Sequence, residues 1–218
     1  MIRLTLVLIA LLFFNACSLK TPKNDWQRKS TNSFSSYTKN FLNGDDALAY
    51  NDLSRAIKHA KQSANLTQLA KIYLGECALN ISVGIEDACS EYKNISDLVL
   101  DKELDAYYSF LTDTLKKDQI QFLPKHYQKF ASAFIAQDKK LLNKEIVQIP
   151  KETSSYISAA LTRKDLSHAT KMYLIESASS NGYKKLVLFW LQEAKRASRN
   201  PAEIQLLNKK ISILNSDK

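Results

Sequence analysis

Glycine and proline are scarce, with four of each in 218 residues. Sheet proteins need more turn punctuation than that, so strands are not expected to dominate. The longest apolar run, Leu4–Phe14, is 11 residues. It falls short of the roughly 20 that a membrane-spanning helix requires. The three histidines, His59, His126 and His168, are far apart in sequence, with no pair at i+3 or i+4, which argues against a zinc site. There is no Gly-x-Ser-x-Gly, no phosphate-binding glycine loop and no His-Glu-x-x-His. The acidic pairs Asp45-Asp46 and Glu86-Asp87 sit where helices are expected to begin, and the helix dipole accounts for them. No catalytic constellation emerges, and the chain reads as a non-enzyme without metal or cofactor.

The apolar residues make up 45% of the chain, so disorder is not the default. The first 17 residues stand apart. A single early positive charge, Arg3, precedes Leu4–Phe14, and the stretch closes Phe14-Asn15-Ala16-Cys17. A basic start, a short apolar core and a small residue at the end are the parts of a secretory signal. This end resembles the bacterial lipoprotein signal, in which Leu, a small residue, and Gly or Ala precede the Cys. Ala16 and Cys17 fit that pattern, while Phe14 and Asn15 depart from its commonest choices. The resemblance implies cleavage before Cys17, diacylation of its thiol and acylation of the new amino group. One acyl chain gives marginal membrane binding, whereas two or three hold a protein firmly. It also implies a sorting role for Ser18: Asp at that place retains enterobacterial lipoproteins at the inner membrane, so Ser18 points to the outer membrane. The organisation expected is a signal over 1–16, a tether over 17–31 and one helical domain over 32–218. Trp26 in the tether is assigned either to the membrane interface or to the first core contact.

Past the signal, the chain carries 30 Lys+Arg and 22 Asp+Glu. The excess is one-sided: residues 116–218 hold 19 basic and 9 acidic side chains. A secreted chain meets little nucleic acid, so anionic lipid, peptidoglycan or an acidic protein are the better matches for a basic surface. A plain solvated face explains the same lysines.

With Cys17 set aside, Cys77 and Cys89 form an even pair in a disulfide-permissive compartment. Each lies six residues from Val83, next to Gly84, where the chain is expected to turn. An antiparallel helical hairpin there places the two side by side, as a disulfide requires. The spacing is not Cys-x-x-Cys, and no histidine or second cysteine pair lies near, so redox chemistry and metal binding are the weaker readings.

Apolar spacing predicts helices almost throughout. They are expected over 31–42, ending at Asn43-Gly44; from Asp45 or Asp46; over 66–81; over 85–95; from Asp101; and from Pro124. Residues 141–147 read as helix or as a short extended piece. Helices over 152–161, 166–180, 183–197 and 201–214 complete the chain. Leu186–Leu191 is apolar on every side and is expected to be enclosed. The last helix keeps the stripe Ile204, Leu207, Ile211, Leu214, with a polar outer face expected to cap the fold. The class is therefore all-α, with antiparallel hairpins stacked as a short α-solenoid. Leu74-Gly75, the turn at Asn181-Gly182 and Pro201 after the following helix resemble tetratricopeptide and Sel1-like repeats. Ala88 and Tyr92 lie one place off that consensus. The aromatics Tyr107, Tyr108, Phe110, Phe122, Tyr127, Phe130 and Phe134 form either a peptide-binding groove or core packing. By its resemblances the chain is expected to be a lipid-anchored module that binds another envelope protein. Binding of peptidoglycan through the basic half is the alternative.

Overall fold

The structure is a computed structural model, and it describes residues 24–216. Cys17 and Ser18 lie outside the described residues. Among those described, all regular structure is helical. Helix α1 spans Asp25–Asn43 and α2 Asp46–Ala60. Gly44 between them adopts φ 92°, which glycine reaches without strain, and its amide donates to the carbonyls of Asn40 and Phe41. The two helices fold back as a hairpin. Asn40 Nδ2 donates to Asp52 Oδ2 at 2.7 Å, and Ser30 Oγ to the Ala56 carbonyl at 3.0 Å.

The tether expected over 17–31 is corrected here: α1 begins at Asp25, and Ser30 is fully buried. Asp25 is paired with Arg28 and Lys29, one turn on. Such pairs and an acid in the first turn hold a helix in a segment that shows no apolar period. Trp26 is half-buried on this first turn.

Helix α3, Thr67–Ser82, is central, with buried residues on every side from Leu69 to Ser82. Gly75 admits the Phe34 ring of α1 so closely that a Cβ there would overlap it. After α3 the chain is irregular, with only the short helices α4, Ser90–Lys93, and α5, Ser96–Val99. The helix expected over 85–95 is thus cut to four residues. Asp87 is the reason: its carboxylate accepts from Asn80 Nδ2 at 2.8 Å and from the Cys89 amide at 2.7 Å, which favours a turn over helix.

Helix α6 spans Lys102–Leu111, capped by Asp101, which accepts from the amides of Glu103 and Leu104. A 3-10 turn over Lys117–Phe122 leads to α7, Lys125–Ile135, with Pro124 as its N-cap. Helix α8, Lys139–Gln148, settles residues 141–147 as helix, and Asp138 caps it. Helix α9 spans Glu152–Leu161 and α10 His168–Ser180, the latter capped by Ser167. Helix α11, Lys184–Ala197, and α12, Pro201–Asn215, follow.

The helices of α1–α2, α7–α8 and α10–α11 pair as hairpins in a helical-repeat-like arrangement, with α8 also packing on α10. Two contacts go beyond neighbour-on-neighbour stacking: α1 packs against α11, and α3 against α9. They draw distant parts of the chain onto one main core. Helix α9 is buried from Ser154 to Ala160 despite three serines. Ser155 Oγ donates to the Ile146 carbonyl at 2.9 Å and Ser154 Oγ lies 3.1 Å from His126 Nε2, while Ser158 Oγ is buried without a partner among the described residues.

Candidate functional site

Cys77 and Cys89 are joined as a disulfide, with their Cα atoms 5.2 Å apart and both residues buried. The partners are a helix and an irregular returning segment rather than two helices. Glu76, Asp87 and Glu91 gather on its open side and line a hollow of about 130 Å³ with both cysteines. Burial, then the charges of Asp87 and Glu91, raise the Glu76 carboxyl above the ordinary glutamate value of 4.5. A carboxyl raised in the fold binds its proton more tightly there than in the unfolded chain. Ionised Glu76 therefore weakens the fold at neutral pH, and the penalty fades as pH falls through its folded pKa. Glu76→Gln is expected to raise stability at pH 7 relative to the parent. The gain should vanish below about pH 4, where both states of the parent are protonated. Urea titrations of both proteins across that range check this.

The sulfurs and a carboxylate oxygen of Asp87 lie within 4.8 Å of one another, the one such grouping of potential metal ligands among the described residues. Both sulfurs are already committed to the covalent bond, so the arrangement works as a staple.

The histidines serve three separate places. His59, on α2, has Nδ1 buried without a partner among the described residues. His168 Nε2 lies 3.4 Å from Glu203 and links α10 to α12. His126 Nε2 lies 3.1 Å from Ser154 Oγ, beside the joined phenols of Tyr127 and Tyr107, 3.4 Å apart. Burial, with Lys151 nearby, lowers the His126 pKa, and burial raises both phenols. A nucleophile needs a base, an orienting partner and a path for substrate. Ser154 is buried and faces the phenols, and it does not line the hollow formed by Lys125, His126, Lys129 and Glu145. The group fastens α7 to α9.

The aromatic cluster is core. Phe110, Tyr127 and Phe130 are buried, and Tyr107, Tyr108, Phe122 and Phe134 pack against them. The Phe110 ring meets those of Phe130 and Phe134 edge-on, an arrangement that suits the aromatic quadrupole.

An open apolar surface lies instead at the C-terminal end of the fold. Helix α12 packs on α11 but scarcely on α10. Between the three runs a trough of about 470 Å³. Val187 and Leu191 of α11 form its floor, Ile175 of α10 one wall, and Ile213 and Leu214 of α12 the other. The charged side chains lining it are both cationic, Lys184 and Lys210. Ile213 is 62% exposed and Leu206 is 55% exposed. Leu206, Lys210 and Ile213 recur at helical spacing on one side of α12. The polar outer face expected of this helix is thus interrupted by two large apolar residues. The stripe Ile204, Leu207, Ile211, Leu214 is realised, but only Leu207 is fully buried. Sequence reading located the stripe and missed the trough, because the gap depends on how far α10 stands from α12. The sole signal was Leu206 and Ile213 lying outside the stripe. No helix of the described residues is long and apolar enough to cross a membrane. No protein-family model matches the chain, and neither a curated protein nor a solved structure matches it.

Proposed function

We propose that the chain is a lipid-anchored module of the bacterial envelope that holds another protein through its helical domain. The anchor in this reading is Cys17, acylated after removal of residues 1–16. Ser18 directs the protein to the outer membrane, with the domain facing the periplasm. The observation that carries the binding role is the trough of α10, α11 and α12. Monomeric proteins seldom leave large apolar side chains clustered in water unless something covers them. Among the described residues, Ser154 is buried away from the hollow that His126 lines, and Cys77 and Cys89 are bonded to each other.

Intact-mass analysis of detergent-extracted protein tests the anchor. The expected species begins at Cys17 and carries diacylglycerol and an amide-linked acyl chain. The Cys17→Ala protein should lack both and keep its signal. A mature species that starts elsewhere, without lipid, would contradict the reading. The one-sided charge of residues 116–218 favours a second reading, in which the basic half binds peptidoglycan. Retention on purified sacculi that weakens steadily with salt would distinguish it.

A further inference from the structure

We infer that the trough between α10, α11 and α12 seats an acidic amphipathic helix of another polypeptide, which completes a four-helix bundle with these three. The inference rests on the interaction-module reading and specifies its partner. Three packed helices with an apolar hollow on one side leave the position that a fourth helix fills in a bundle. The hollow offers apolar anchors on three elements: Val187 and Leu191 one turn apart on α11, Ile175 on α10, and Ile213 with Leu214 on α12. A visiting helix that lays one apolar face across them keeps its other faces in water.

Charge selects among the occupants. Lys184 and Lys210 flank the apolar floor. The chain's own segment from Cys17 to α1 carries Lys20 and Lys23 and no acidic residue up to position 23. It would bring like charge to the rim. A second copy, packed trough to trough about a two-fold axis, sets lysines against lysines. Glutamates or aspartates beside an apolar stripe meet Lys184 and Lys210 with opposite charge, which favours encounter and fixes register. A single acyl chain with an anionic head would satisfy the lysines. Sites for small ligands, however, enclose most of the ligand surface, and this trough is open along its side. The exposed leucine at 206 extends the apolar surface further along α12.

The test uses the full mature chain and two fluorescent synthetic peptides of about five helical turns. Both carry the same leucine–isoleucine stripe; one is flanked by glutamates and the other by lysines. Anisotropy titration at low salt should show saturable binding of the glutamate peptide. Lys184→Glu, Lys210→Glu and Ile213→Ser should each weaken it by about tenfold. All three side chains are exposed, so the variants should melt with the parent by circular dichroism. The double variant Lys184→Glu/Lys210→Glu should prefer the lysine peptide. Equal binding of both peptides, or binding of neither, would overturn the inference. So would Ile213-dependent dimerisation in sedimentation, or Ile213-dependent binding to vesicles of anionic lipid without peptide binding. Glutamate-peptide binding untouched by all three variants would sink the trough assignment but leave the module reading standing. Failure of that reading shows separately, as the lack of any Cys17-dependent protein partner in the native envelope.

Discussion

Trp190→Ala is expected to lower stability by about 3–5 kcal/mol, as loss of a fully buried large aromatic does. Trp190 is 0% exposed on α11, its ring 4.8 Å from that of Phe189. Helix α11 is the common element of the C-terminal region: it contacts α10, α12 and, across the fold, α1. A cavity there loosens both the closure onto α1 and the floor of the trough. Trp190→Phe separates packing from polarity. The indole Nε1 is buried without a hydrogen-bond partner among the described residues. A buried unpaired donor costs about 1–3 kcal/mol, and phenylalanine removes it while retaining most of the apolar volume. The phenylalanine variant is therefore expected within about 1 kcal/mol of the parent, the lost volume being offset by the lost penalty. Urea unfolding followed by circular dichroism compares the three proteins. An alanine variant within 1 kcal/mol of the parent would show that α11 does not carry the closure, against the packing described above.

Removing the disulfide is expected to cost about 3 kcal/mol, through the entropy returned to a short loop of the unfolded chain. For a domain of this size the melting temperature should fall by about 6–12 °C. The cysteines are 12 residues apart in sequence. They clamp the longest stretch without a substantial helix among the described residues, between Ser82 and Lys102. Helix α5 buries no residue at all, and besides the disulfide that stretch is held by Tyr92, whose hydroxyl donates to Asp105 at 2.6 Å. In Cys77→Ser/Cys89→Ser, amide exchange should therefore rise first over residues 84–100, with α10–α12 little changed. Uniform loss of protection across the chain, or an unchanged melting temperature, would contradict a local staple.

Much of this fold could be read from local chemistry. Asn43-Gly44 ended α1 as expected, Asp101 capped α6, and Asn181-Gly182 turned the chain between α10 and α11. Each rests on a few neighbouring residues and so needs no tertiary knowledge. Leu186–Leu191 was expected to be enclosed, and five of its six residues are buried, Leu188 being half-exposed. The misses have tertiary causes. The helix over 152–161 was expected, but its three serines concealed how deeply it is buried, because Ser155 finds its acceptor in the Ile146 carbonyl, nine residues back. Asp87 broke the helix expected from residue 85 by bonding Asn80, seven residues back on α3. Closure of α1 onto α11 and of α3 onto α9 has no local signature. The disulfide partners were legible from their number, their spacing about Val83 and a start that resembles a secretory signal. The trough was not, since it is a gap between two helices that the same residues would have filled had α10 lain closer.

The most direct test of the lipid-anchored module is capture from crosslinked native envelopes. Tagged parent, Cys17→Ala and Ile213→Ser proteins would be compared by mass spectrometry. One protein enriched with the parent, and lost when either the anchor or the trough is altered, is the predicted result. Recovery of peptidoglycan fragments or lipids alone, with no protein depending on Cys17, would contradict the account.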